Sequence, residues 1–179
     1  MYSEEKKSDI FIKENVSPSV LQNDFLGIGV TSKFMLIANK KNELFCWIFD
    51  QDESLRTAIQ IPLPEKEKGY QAIFYTDKNS LHSIFKYNRY YFYFNTRAGK
   101  VKLLNKLNDL NVESIAFDNN ANDACTNTIL IGTDKGKIYG LYLEYDFKND
   151  KIVSDKLTEL IQLKYERRIC GLSVSLFLF

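Results

Sequence analysis

Two stretches far apart in the chain carry the same order of apolar and polar positions: Ile37-Ala38-Asn39-Lys40-Lys41-Asn42-Glu43-Leu44-Phe45-Cys46 and Ile131-Gly132-Thr133-Asp134-Lys135-Gly136-Lys137-Ile138-Tyr139-Gly140. Asn42 falls on Gly136, and Asn and Gly are the residue types that most readily take up the left-handed backbone conformation of a tight turn. A third stretch between them has the same succession of two strands, a short polar turn and an aromatic-rich strand, so the chain repeats at a spacing of about 45 residues. Units of this size that cannot cover their own apolar faces have to stack on their neighbours. That constraint points to an all-β chain, a partial β-propeller, and to an interaction scaffold before any chemistry.

Apolar runs bounded by turn signals place the strands. The first unit is expected at Gly27 to Val30, Phe34 to Ala38, Leu44 to Phe49 and Ala58 to Leu63, with Asp50 to Arg56 as a charged loop. Pro62 and Pro64 suit an outer edge strand, since proline has no N–H to give a ladder. The second unit is expected at Gln71 to Tyr75, Leu81 to Phe85, Tyr90 to Asn95 and Val101 to Leu107, around the turn Lys86-Tyr87-Asn88-Arg89. The third is expected at Val112 to Phe117, Thr128 to Gly132, Lys137 to Tyr145 and Leu157 to Leu163, with polar insertions at Asn119 to Asn127 and Asp146 to Asp155. A helical reading competes for Lys156 to Leu163, because Leu157, Leu160 and Ile161 share one helix face. Ile169 to Val174 reads as the first strand of a fourth unit, so the fold expected is about three four-stranded blades plus the start of a fourth. Residues 1–24 are a polar leader whose apolar patch, Ile10-Phe11-Ile12, suits an edge strand, and residues 25–179 are the propeller part.

The third strands are apolar at consecutive positions, Leu44-Phe45-Cys46-Trp47-Ile48-Phe49 and Tyr90-Tyr91-Phe92-Tyr93-Phe94. A half-exposed strand alternates, whereas an unbroken run implies cover on both faces, as blade-on-blade packing provides. The 45% hydrophobic content supports a real core, and the formal charge of +1 carries no electrostatic footprint for nucleic acid. Cys46, Cys125 and Cys170 are an odd number at wide spacing and read as reduced thiols of a cytosolic protein. Met1 to Asp9 shows no secretory signal, and the apolar run Ile169 to Phe179, broken by Ser173 and Ser175, is shorter than the roughly 20 residues of a membrane span. The triplet Asn15-Val16-Ser17 is followed by Pro18 and reads as a coincidental glycosylation match.

No catalytic, cofactor-binding or metal-binding residue is assigned. Gly132 to Lys137 has three residues between its glycines and Ile138 after the lysine, whereas a phosphate loop needs four and then Ser or Thr, opening a helix. His82 is the single histidine and reads as solvated or turn-capping. Gly171-Leu172-Ser173-Val174-Ser175 lacks the second glycine of a nucleophile elbow, and the cysteines form no Cys-x-x-Cys pair. Asp50 to Glu53 and Glu65 to Lys68 read as solvated surface, and Trp47 with Tyr90 to Tyr93 as core.

The segments Lys100 to Leu107, Val112-Glu113-Ser114-Ile115-Ala116-Phe117 and Ile129-Leu130-Ile131-Gly132-Thr133-Asp134-Lys135-Gly136-Lys137-Ile138-Tyr139 together resemble the N-terminal propeller of the deep orange family of vacuolar protein sorting-associated proteins. Ile10 to Lys13 resembles the opening strand of that family, and Asp77 with His82 its Asp-x-x-Gly-x-His turn, although Asn79-Ser80 stands where the turn glycine is expected. The resemblance covers most of residues 10–145. It implies a non-catalytic subunit of a class C tethering complex of HOPS or CORVET type, acting in docking and fusion at late endosomes and lysosomes or vacuoles. It also implies a cytoplasmic place at those membranes, other class C subunits as partners, indirect membrane association and no nucleic acid. Family members carry a helical solenoid and a zinc-binding RING module after the propeller, and nothing that depends on those parts carries over to these residues. The alternatives are another WD-like propeller adaptor or a propeller hydrolase. Closed propellers typically have 4 to 8 blades, so residues 1–179 are expected to be a fragment or truncated product whose end sheets expose apolar surface, Ile169 to Phe179 most of all.

Overall fold

The computed structural model describes residues 25–31, 34–48, 55–64, 67–77, 82–95, 100–117, 126–146 and 151–173. Among these residues, twelve strands form three antiparallel four-stranded sheets in simple up-and-down order, β1–β4, β5–β8 and β9–β12. The first holds β1 (Phe25–Val30), β2 (Phe34–Asn39), β3 (Glu43–Ile48) and β4 (Leu55–Gln60); the second β5 (Ala72–Thr76), β6 (His82–Tyr87), β7 (Tyr90–Asn95) and β8 (Lys100–Leu103). The third holds β9 (Val112–Phe117), β10 (Thr126–Thr133), β11 (Lys137–Asp146) and β12 (Lys151–Gln162). This is the partial propeller that the repeat predicts.

The aligned turns match in backbone. Asn42 and Gly136 have φ of 65° and 72°, each closing a three-residue hairpin loop, the arrangement in which a turn is followed by one left-handed residue. Asn39 Oδ1 accepts the Glu43 amide at 3.1 Å, and Thr133 Oγ1 accepts the Lys137 amide at 3.2 Å. Asn88, φ 54°, makes the tighter two-residue turn of the second sheet. The expected turn Lys86 to Arg89 is thus shorter in fact, because Tyr87 pairs with Tyr90 within the ladder.

Alternate residues of β7 serve two interfaces. Tyr90, Phe92 and Phe94 join Phe34, Leu36, Leu44 and Cys46 between the first two sheets. Tyr91 and Tyr93 join Ile129, Ile131, Leu141 and Leu143 between the second and third. All six residues of β7 are buried, which is the unbroken apolar run explained by cover on both faces.

Several boundaries differ from the sequence reading. The strand expected at Val101 to Leu107 stops at Leu103 and gives way to a 3-10 turn, Asn105–Leu107. Leu104 and Leu107 are both fully buried, and three-residue spacing brings both to one side of such a turn. The strand expected at Ala58 to Leu63 is β4, Leu55–Gln60, so Pro62 and Pro64 lie beyond the ladder; the Ile61 amide leaves it to bond the Asn42 carbonyl at 2.8 Å. The insertion expected at Asp146 to Asp155 narrows to residues 147–150, because β11 and β12 are long and pair along their length. That ladder also decides against a helix at Lys156 to Leu163. Ile169 to Ser173 forms no ladder among the described residues. Phe49, Leu81, Val174 and the Ile10 to Ile12 patch lie outside the described residues.

Candidate interaction surface

The side chains singled out for possible chemistry are used structurally. His82 is half-buried, stacks on Tyr93 and shares a 2.5 Å hydrogen bond between its Nδ1 and the Tyr93 hydroxyl, while its amide donates to Asp77 Oδ1 at 3.0 Å. It is therefore a cross-strand packing residue as well as part of the Asp77 turn, and not a solvated one. Gly132 to Lys137 is a hairpin between β10 and β11, and Lys137 pairs with Glu159 at 2.8 Å. Cys46 is buried in the first interface and Cys170 is exposed; Cys125 lies outside the described residues. Among the described residues no three His, Cys, Asp or Glu side chains gather as metal ligands would, and no helix is long and apolar enough to cross a membrane.

Polar anchors hold the sheets to one another along one rim. The Tyr87 hydroxyl lies 2.6 Å from the Asn39 carbonyl and 2.9 Å from Asn42 Oδ1, so a residue of the second sheet is fastened to the turn of the first. Asn88 Oδ1 accepts the Tyr70 amide at 2.9 Å and its Nδ2 donates to the Lys68 carbonyl at 3.2 Å, pinning the connection into the second sheet. Tyr91 repeats the role one sheet further on, its hydroxyl donating to the Leu110 carbonyl and accepting the Val112 amide, each at 3.3 Å. Removing the Tyr87 hydroxyl leaves a buried carbonyl without its partner. Tyr87→Phe is expected to lower stability by about 1–3 kcal/mol in urea unfolding; a loss within error of zero would show that the hydroxyl does not join the sheets.

Burial raises the pKa of Tyr75, Tyr87, Tyr91 and Tyr93 above the ordinary tyrosine value of 10.0. The unfolded chain then loses these protons first, so the stability they carry is complete below pH ~10 and is lost as pH rises above it. Urea midpoints are expected to be level up to about pH 9 and to fall above about pH 10, by up to ~1.4 kcal/mol per pH unit for each such tyrosine. Tyr93→Phe is expected to fall less steeply; an unchanged slope would exclude Tyr93.

Among the described residues, the third sheet leaves one face without a full partner. An open hollow of about 370 Å³ there is lined by Gly140, Tyr142, Lys156, Thr158 and Leu160, and Leu160 is 53% exposed. Further in on the same sheet, Ile169 lies against Gly132. The Ile169 amide donates to the Thr133 carbonyl at 3.0 Å, and Ser114 Oγ donates to the Ile169 carbonyl. The register explains this placing. Gly27 pairs with Ala38 as Ser114 pairs with Gly132, and Ala38 aligns with Gly132 in the repeat. A side chain at Gly27 would strike Ala72, the first residue of β5, and one at Gly132 would strike Ile169. Ile169 therefore stands where the next sheet's innermost strand begins, so the start of a fourth blade is in position without a ladder of its own.

A sequence profile described as the Pep3/Vps18/deep orange beta-propeller domain matches residues 9–178. The chain belongs to that family. None of the curated proteins compared by sequence matches it. Among solved structures, the WD40 domain of SCAP from fission yeast is similar at 17% identity and a TM-score of 0.53, over 80% of this chain and 35% of that one. The Neurospora crassa Pan2 WD40 domain is 16% identical with a TM-score of 0.42, over 90% of this chain and 44% of that one. The Myceliophteria thermophila Cps50 (Swd1) beta-propeller domain is 12% identical with a TM-score of 0.43, over 87% of this chain and 47% of that one. The chain thus spans less than half the length of the solved propellers it matches. The family member is a propeller scaffold suited to protein–protein contact, which stacked sheets with few free edges provide.

Proposed function

We propose that this propeller is a non-catalytic part of a class C vacuolar sorting complex of HOPS or CORVET type, acting in docking and fusion of endosomes with lysosomes or vacuoles. The observation that carries the reading is the deep orange propeller match over residues 9–178. Tethering needs a rigid particle that presents sheet faces, edges and loops to other subunits. The interlocked cores on both sides of β7 and the half-covered face around Leu160 supply such a particle. Its partners are other class C subunits, it lies on the cytoplasmic side of late endosomal, lysosomal or vacuolar membranes, and it meets the membrane through those partners.

Affinity purification of the tagged protein from its own cells tests the proposal. Co-recovery of other class C subunits is the expected result. Recovery of an unrelated set of proteins in their place would assign the propeller to a different adaptor and overturn it.

A further inference from the structure

We draw no further inference here: the strongest candidate, the surface patch on the connection after β12 where the Lys164 and Arg167 cations flank the exposed Tyr165 ring, carries nothing, because Glu166 lies in the same connection, Glu159 and Glu113 already pair with the neighbouring Lys137 and Arg168, and nothing in the structure shows what covers it.

Discussion

Replacing Phe92 by alanine is expected to remove about 3–5 kcal/mol of stability. Phe92 is fully buried and stacks on Phe85 with ring centroids 5.1 Å apart, in the core shared by the first two sheets. It lies mid-strand in β7 between two laddered neighbours, pairing with Phe85 on one side and Leu103 on the other. The surrounding backbone therefore has little room to collapse into the space left behind. Domains of this kind are stable by only about 5–15 kcal/mol, so the variant is expected to be largely unfolded at modest urea concentrations at which the parent chain is folded. Tyr142→Ala, on the exposed face of β11, is expected to change stability by less than about 0.5 kcal/mol. Equal losses at the two sites would mean that the stack does not bury β7 as described.

The second large effect concerns association. Leu160 and Ile161, in β12, and Leu163, just beyond it, are all exposed, and Leu160 lines the apolar hollow beside Tyr142. Ile61, in the place that corresponds to Leu163, is buried against the next sheet and bonds the Asn42 carbonyl just as Leu163 bonds that of Gly136. The exposure of Leu163 is thus what a stacked position looks like without its neighbour. Residues 1–179 made alone are expected to bind a hydrophobic dye and to show a solution mass above that of one chain by light scattering. An unpaired carboxylate buried at such a contact costs about 2–5 kcal/mol, so Leu160→Glu is expected to weaken association about 30-fold or more. A monodisperse monomer that binds no dye would show that the third sheet's face is already covered.

The periodicity, the left-handed positions and the two-faced burial of β7 were all legible in the sequence, because each follows from local chemistry. Asn42 and Gly136 are needed where φ is 65° and 72°, and few other residue types take such values without strain. Tyr90 to Phe94 carries no polar position to turn toward water. The role of His82 was less legible, because the strand register, which sets Ile84 opposite Tyr93 and His82 opposite Asn95, brings the imidazole to the Tyr93 hydroxyl, and register is a long-range property.

Tertiary structure alone decided the rest. Leu44 to Trp47 reads much like β7, yet Leu44 and Cys46 face the second sheet while Phe45 and Trp47 face outward, because β3 belongs to the first sheet of the stack. Leu104 and Leu107 suit a strand by composition but turn in a 3-10 coil to reach the core around Ile129. Lys156 to Leu163 fits a helix face or a strand equally, and pairing with β11 settles it. The interaction surface has no motif of its own: Tyr142 and Leu160 come together only through the pairing of β11 with β12, and Ile169 is held against Ser114 and Gly132 where the next sheet begins. Local chemistry specifies each sheet, and the order of stacking determines which apolar face stays open.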